Sequence, residues 1–150
     1  MTARAIPFWL ARYESKTNAM SATNHRSTRV LIVEDEEDCR MTLALLMSMH
    51  GFEVRASASG REAIAIAEEF LPEVVFLDLG MPLMDGYETA AALRMNARTM
   101  QARIVALTGY GAEREMELAA AAGFDLYLVK PAALADLLAA VSQPLPTMLA

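Results

Sequence analysis

The sequence predicts an α/β protein built around a doubly wound, five-stranded parallel sheet. Two observations predict it: from residue 29 onward short apolar runs alternate with helix-like segments, and four of these runs are apolar almost throughout. A strand that is apolar on both faces is buried on both, as in a parallel sheet covered by helices on each side. The order strand, helix is therefore expected five times over.

The predicted strands occupy residues 30–33, 53–56, 74–77, 104–107 and 126–129. The second run, EVRA, is the least apolar, which suits a strand at an edge of the sheet. Because crossovers between parallel strands are right-handed, few topologies remain, and the order 2-1-3-4-5 puts the second strand at an edge. This is the flavodoxin-like (βα)5 arrangement, in which ligands bind beyond the carboxyl ends of the strands.

The intervening helices are marked by residues typical of helix ends. A capping residue stands three positions before a glutamate in two pairs, Ser59 with Glu62 and Asp85 with Glu88. Gly51 and Gly123 lie where helices are expected to end. The last helix is predicted over residues 132–141, with one buried face that carries Leu134, Leu137, Leu138 and Val141.

Composition favours one domain with a substantial core, because 55% of the 150 residues are hydrophobic and 21% are charged. We expect a flexible N-terminal extension over 1–28, the main domain over 29–143 and a short tail over 144–150. The net charge of −6 divides into +3 for residues 1–28 (four basic, one acidic) and −9 for residues 29–150 (nine basic, eighteen acidic). This acidity predicts that the main domain does not bind nucleic acid directly.

The extension has two interpretations. In the first it has no function of its own, either as a disordered tail or as a segment upstream of an alternative start at Met20. In the second it is a short docking segment that uses Phe8 and Trp9.

The single cysteine, Cys39, excludes an internal disulfide framework, and no apolar stretch approaches the ~20 residues of a membrane span. We therefore expect a cytoplasmic protein without a membrane contact, whose methionines fill the core.

Polar residues follow four of the predicted strands at their carboxyl ends. Glu34 and Asp35 follow the first strand, Asp78 the third, Thr108 the fourth and Lys130 the fifth. Since the carboxyl ends of parallel strands meet at one edge, these side chains are expected to converge. Three crowded carboxylates repel one another, and a divalent cation relieves that repulsion. An all-oxygen ligand set favours Mg²⁺, with Mn²⁺ as an alternative, and so indicates phosphoryl chemistry.

In phosphoryl transfer the protein mainly positions the reactants and neutralises charge. Asp78, Thr108 and Lys130 suit those roles as an acceptor carboxylate, a hydroxyl donor and a cation. Lys130 is the only lysine after Lys16, which indicates a specific need for an ammonium at this position.

The sequence resembles the response-regulator receiver family of two-component signalling, and chemotaxis regulators in particular. The resemblance extends over about 29–141. It rests on four motifs in order: VLIVEDEEDCR at 30–40, VVFLDLGMPLMDG at 74–86, ALTGYG at 106–111 and YLVKP at 127–131.

The resemblance implies that Asp78 is the phosphoacceptor, which takes a phosphoryl group from a phosphohistidine of a histidine kinase or a histidine phosphotransfer protein. The carboxylates of Asp35 and Asp78 and the carbonyl of Gly80 would bind Mg²⁺, with Glu34 acting through a water molecule. Lys130 would pair with the phosphoryl oxygens. The chain would then be a phosphoacceptor that catalyses its own phosphorylation and dephosphorylation, not an enzyme acting on a separate substrate.

The resemblance also implies a switch. Thr108 would move toward the phosphoryl group, Tyr127 would turn inward, and Pro131 would follow a cis peptide bond. The face formed by the fourth helix, the fifth strand and the fifth helix would then bind an unknown downstream protein target, or a second copy of the chain to form a homodimer.

Two positions depart from the commonest family pattern, since Glu34 stands where aspartate is frequent and Gly80 has no side chain. We also expect Tyr110 to shield the acyl phosphate from water.

Three alternative functions compete with the receiver: a pseudo-receiver that signals without phosphorylation, a Mg²⁺-dependent phosphatase and a flavodoxin-like electron carrier. Gly80 argues against the phosphatase, which commonly needs a second aspartate there, and the acidic EDEED loop argues against binding of a flavin phosphate. The chain itself suits a stand-alone regulator, a phosphorelay intermediate or the receiver of a hybrid kinase.

Overall fold

The computed structural model of the protein describes residues 27–81, 84–109 and 113–142, except for the side chains of 113–115. Strands and helices alternate along these residues. The elements in chain order are β1 (Arg29–Val33), α1 (Glu37–Met49), β2 (Glu53–Ser57), α2 (Gly60–Phe70), β3 (Val74–Asp78), α3 (Gly86–Met95), β4 (Arg103–Thr108), α4 (Glu113–Ala121), β5 (Leu126–Val129) and α5 (Leu134–Ser142).

The strands form one parallel sheet in the order β2-β1-β3-β4-β5, which confirms the predicted fold and places the least apolar strand at an edge. Their boundaries differ from the prediction by at most one residue at either end, and β5 has the predicted bounds. In particular, β3 extends to Asp78 and β4 to Thr108, so both polar residues are the last of their strands. The backbone of each is therefore fixed by the sheet.

Two apolar clusters, one on each face of the sheet, form the core. Alternate residues of β1 divide between them, with Leu31 and Val33 on one face and Val30 and Ile32 on the other. Helices α2, α3 and α4 cover the first face, and α1 and α5 cover the second. A fully buried aliphatic side chain stabilises the fold by about 1.5–3 kcal/mol, so this double cover holds the strands' carboxyl ends in place.

The predicted helix ends are confirmed. Ser59 Oγ accepts a hydrogen bond from the Glu62 N–H at 3.2 Å, and Asp85 Oδ1 accepts one from the Glu88 N–H at 2.8 Å. After α1, Gly51 has φ +88°, which is the left-handed region that favours glycine. The starts of α2 and α3 and the end of α1 are thus fixed by local interactions.

The expectation that the methionines fill the core is only partly correct. Met47 is fully buried and Met81 nearly so, but Met41, Met49 and Met95 are 61%, 72% and 88% exposed. Leu134, predicted on the buried face of the last helix, is also 37% exposed, whereas Leu137 and Val141 are buried. Apolar character alone did not show which side of a helix faces the sheet.

Several sequence predictions lie outside the described residues, namely those on the extension with Phe8 and Trp9, on Tyr110 and on the tail from 144 onward. Within the described residues, no helix combines the length and the apolar character that a membrane crossing requires.

Candidate functional site

The candidate site lies at the carboxyl edge of the sheet, where the residues after β1, β3, β4 and β5 meet. The register places Asp78 of β3 opposite Leu107, the residue before Thr108. The Lys130 N–H donates to the Thr108 carbonyl at 2.7 Å, so the end of β4 and the residue after β5 are joined directly. The predicted convergence of these strand ends is observed.

An acidic cluster forms the centre of the site. One carboxylate oxygen each from Glu34, Asp35 and Asp78 lie within 4.8 Å of one another. Glu34 is 3% exposed and Asp78 is 7% exposed, whereas Asp35 is open to solvent. Two buried carboxylates and one exposed carboxylate thus form a cup of oxygen atoms that is accessible on the Asp35 side.

Lys130 provides the cation of the site and contacts two of the three acids. Its Nζ donates to Glu34 Oε2 at 2.5 Å and lies 3.6 Å from Asp78 Oδ2. Glu34 is therefore the nearer partner of the ammonium. Asp78 retains its other oxygen, Oδ1, for a hydrogen bond from the Gly80 N–H at 3.0 Å.

The ionisation of Glu34 and Lys130 is perturbed. Burial raises the pKa of Glu34, and the charge of Asp78 raises it further, although the hydrogen bond from Lys130 opposes both. Burial lowers the pKa of Lys130, but its bond to Glu34 and the charges of Asp78 and Glu34 outweigh this, so the pKa is raised. The ammonium therefore stays charged, while the buried acids remain crowded.

The loop that carries the acidic pair is held from α1. Arg40 Nη1 donates to the backbone carbonyls of Glu34 at 3.0 Å and Asp35 at 3.3 Å. The Glu34 N–H donates to the Ser57 carbonyl at 3.0 Å, which ties the loop to the end of β2. Arg40 was not among the predicted site residues, because its only signal in the sequence is a basic residue one turn into a helix that begins with acids.

Close packing also fixes the backbone at Asp78. A Cβ atom added to Gly86 at the start of α3 would lie 2.5 Å from the Asp78 carbonyl oxygen and 2.8 Å from Leu79 Cα. Glycine is required there because the helix approaches the strand end so closely. Around Gly109, by contrast, no atom of the described residues other than its chain neighbours lies within 4 Å of an added Cβ.

The remaining predicted residues occupy different parts of the site. Thr108 is buried at the end of β4, and the Lys130–Pro131 peptide bond is cis, the form that the resemblance implies. Tyr127 of β5 lies opposite Ala106 of β4 and is 6% exposed. Its ring is therefore already buried in this structure.

Residues 30–142 match the sequence model of the response regulator receiver domain. The chain belongs to the response-regulator receiver family. A relative of this receiver domain, transcriptional regulatory protein PdtaR of Mycobacterium tuberculosis, is 40% identical over 114 residues, which are 75% of this chain and 54% of PdtaR. The chain thus spans about half the length of that relative.

Solved receiver structures resemble it across most of their length. Chemotaxis protein CheY4 of Vibrio cholerae has a TM-score of 0.73 and 32% identity, with 75% of this chain and 94% of that chain covered. The receiver domain of sensor histidine kinase PA1611 from Pseudomonas aeruginosa has a TM-score of 0.69 and 26% identity, with 75% and 93% covered. That structure has a magnesium ion coordinated in its active-site cleft.

Proposed function

We propose that this receiver domain accepts a phosphoryl group on Asp78 in a Mg²⁺-dependent reaction, from a phosphohistidine of a histidine kinase or a histidine phosphotransfer protein. One observation carries the proposal: Glu34, Asp35 and Asp78 meet within 4.8 Å at the end of the sheet, and Lys130 Nζ lies 3.6 Å from the Asp78 carboxylate. A nucleophile, a metal cup and a cation for phosphoryl oxygens are thereby combined.

The donor set fits magnesium. It consists of oxygen atoms alone, and Mg²⁺ prefers one or two carboxylates while it keeps water molecules and room for phosphate. Asp35 and Asp78 would hold the ion with the Gly80 carbonyl, and Glu34 would contribute through water. Manganese has the same ligand preference and is an acceptable substitute. The bound ion would neutralise charge on the transferring phosphoryl oxygens.

The chemical step is a displacement at phosphorus. An Asp78 carboxylate oxygen forms the new O–P bond while the P–N bond to the donor histidine breaks and its electron pair stays on the imidazole nitrogen, giving an aspartyl phosphate. A phosphoryl group on Asp78 Oδ2 lies on the Lys130 side of the carboxylate, where the ammonium pairs with it. Hydrolysis of the acyl phosphate at the same site returns the free carboxylate.

The proposed output is a change of protein contacts. Thr108 moves toward the phosphoryl group and donates a hydrogen bond to it from its hydroxyl. Tyr127, three residues before Lys130, couples this movement to the face formed by α4, β5 and α5. Leu118 of α4 and Leu134 of α5 are 51% and 37% exposed, so two of the three elements that form this face carry an exposed apolar side chain, which supports it as the surface for a downstream protein or a second copy. The acidic main domain favours a protein target over nucleic acid, and a cytoplasmic location is part of the proposal.

The test uses the full chain, Mg²⁺ and acetyl phosphate, followed by intact-protein mass spectrometry. We expect one phosphoryl group per chain, its loss when the metal is chelated and its loss in Asp78→Asn. Asp38→Asn removes an exposed aspartate of α1 and is the matched control, which should be phosphorylated like the wild type.

No phosphoryl gain from acetyl phosphate or from a panel of phosphorylated phosphotransfer proteins, with folded and Mg²⁺-bound protein, would contradict the proposal and favour a pseudo-receiver. Phosphorylation that persists in Asp78→Asn would contradict the assignment of the acceptor.

A further inference from the structure

The outer face of α1 carries an apolar stripe with no partner among the described residues. Met41, Leu45 and Met49 are spaced by four residues and are 61%, 62% and 72% exposed. Residues four apart lie on the same side of a helix, so the three side chains form one continuous row about 12 Å long at 1.5 Å per residue. We call this row the α1 stripe.

The α1 stripe is additional to the side of α1 that packs on the sheet. Leu43, Ala44 and Met47 join the core cluster on that face, and Met47 is fully buried. Helix α1 is thus apolar on both its inner and outer sides, which is unusual for a helix at the surface of a protein. Its outer side also has a charged end, because Glu37 and Asp38 are exposed in the first turn.

We propose that the α1 stripe binds residues 6–10 of the same chain, the run Ile-Pro-Phe-Trp-Leu, which we call the aromatic segment. The inference is independent of the phosphoryl chemistry proposed above. It rests on three observations: where the chain enters β1, how charge is distributed, and how short the apolar surface is.

The chain enters the described structure beside one end of the α1 stripe. The Glu53 N–H donates to the Thr28 carbonyl at 3.0 Å, and the Phe52 N–H donates to the Met47 carbonyl at 3.3 Å. Thr28 therefore lies next to the turn that follows α1. The sixteen residues from 11 to 26 reach at most about 55 Å when extended, while α1 is about 20 Å long, so the aromatic segment reaches the stripe without tension.

Charge favours the same pairing. Arg4 and Arg12 flank the aromatic segment, and residues 1–28 carry +3 against −9 for the rest of the chain. The acids at the start of α1 lie at one end of the apolar row, so one arginine reaches them while the aromatic side chains cover Leu45. Complementary ends fix the position of the segment along the helix.

The size of the α1 stripe favours an occupant on the same chain. Three side chains offer far less than the ~800 Å² per partner of a stable interface between separate proteins. A tethered segment is present at an effective concentration in the millimolar range, so weak contacts suffice. Phe8 and Trp9 bury large area at a low cost in conformational entropy.

Trp9 is the only tryptophan of the chain, so its fluorescence reports on the aromatic segment directly. We expect a blue-shifted emission and a low acrylamide quenching constant in the full-length protein. Leu45→Glu should red-shift the emission and raise the quenching constant several-fold. Met95→Glu introduces the same charge at an exposed methionine of α3 and should leave both unchanged. If Leu45→Glu perturbs folding, Met49→Gln provides the test instead. It is an uncharged change on the α1 stripe and should give a smaller red shift of the emission.

Size-exclusion chromatography with light scattering at two protein concentrations identifies the occupant. A shielded Trp9 in a monomer, released by the stripe variants alone, supports the inference. A fully exposed Trp9 in the wild type overturns it, and so does a shielded Trp9 that the stripe variants leave shielded. Shielding that appears only with dimer formation overturns it as well, in favour of a second copy on the α1 stripe.

Discussion

The amino ends of the five strands form one border of the sheet, which we call the amino edge, and their carboxyl ends form the opposite border, the carboxyl edge. Both are lined with charged residues, but they differ in how those charges are balanced. At the amino edge, acids and arginines alternate in sheet order across the five strands: Glu53, Arg29, Glu73, Arg103 and Asp125. With Arg94, which binds Asp125, they are three acids and three arginines, a formal charge of zero. At the carboxyl edge three carboxylates share one ammonium, a formal charge of −2.

The amino edge is satisfied by the protein itself. Asp125 Oδ2 accepts from Arg94 at 2.7 Å and from the Ile104 N–H at 2.9 Å. Arg103 donates to the Ala140 carbonyl at 2.8 Å, and Arg29 lies 3.5 Å from Glu73. Among the described residues, the excess negative charge at the other edge has no such partners. The comparison shows that a ligand site can be recognised by a net charge that the ion pairs and hydrogen bonds within the protein do not neutralise.

The largest effect that would separate the two edges is on metal binding. We expect Asp35→Asn to lower the affinity for Mg²⁺ by about 100-fold, or about 2.7 kcal/mol, since loss of even an indirect partner of a metal costs about 10- to 100-fold. The metal-free protein should be no less stable, because one of three repelling charges is removed. Isothermal titration and thermal unfolding check both. Unchanged Mg²⁺ affinity would show that the excess charge serves another purpose.

A smaller effect is expected at the amino edge. Asp125→Ala removes the acceptor of Arg94 Nη2 and of the Ile104 N–H, although the rest of the Arg94 guanidinium keeps backbone carbonyls as acceptors. It should lower the free energy of unfolding by about 2 kcal/mol. The affinity for Mg²⁺ should not change. Urea denaturation measures the loss, with Glu69→Ala, an exposed acid of α2, as the control expected within about 0.5 kcal/mol. A loss of Mg²⁺ binding in Asp125→Ala would contradict the separation of the edges.

The smallest effect is a pH dependence at the carboxyl edge in metal-free protein. The pKa of Glu34 is raised above its ordinary value of 4.5, so the folded protein keeps this proton to higher pH than the unfolded chain. The free energy of unfolding contributed by Glu34 should therefore fall as the pH rises above 4.5 toward the folded-state pKa, by less than about 1.4 kcal/mol per pH unit.

Denaturation curves of the wild type and Glu34→Gln in a chelator isolate this contribution from that of other carboxylates. The wild type should lose stability relative to Glu34→Gln over that window. A relative gain would mean that the bond to Lys130 outweighs burial and the charge of Asp78.

The sequence predicted the fold and the location of the site for the same reason. Strands that are buried on both faces are apolar throughout, so a polar residue such as Asp78 or Thr108 marks the end of its strand. Parallel strands bring those ends together whatever the details of packing. The match to the receiver domain over residues 30–142 contains all four motifs on which the predicted resemblance rests.

Other features could not be predicted because they depend on distances between side chains. The preference of Lys130 for Glu34 over Asp78 follows from the reach of a glutamate across the sheet edge. The exposed methionines of α1 were missed because the helix sequence EDCRMTLALLMSM is apolar on more than one side. Periodicity identifies an apolar face but cannot choose between two of them.

The hydrogen bonds from Arg40 to the carbonyls of Glu34 and Asp35 have a consequence for the energetics of the site. A free loop would swing outward and let the repelling carboxylates separate, and a cation would then have to draw them back together. Because α1 anchors the loop through the backbone, the repulsion is retained in the metal-free protein. Its relief adds directly to the free energy of cation binding, and little ordering of the chain is needed. Arg40 thus keeps the repelling carboxylates preorganised for the cation, although its own side chain is not among those expected to contact the ion or the phosphoryl group.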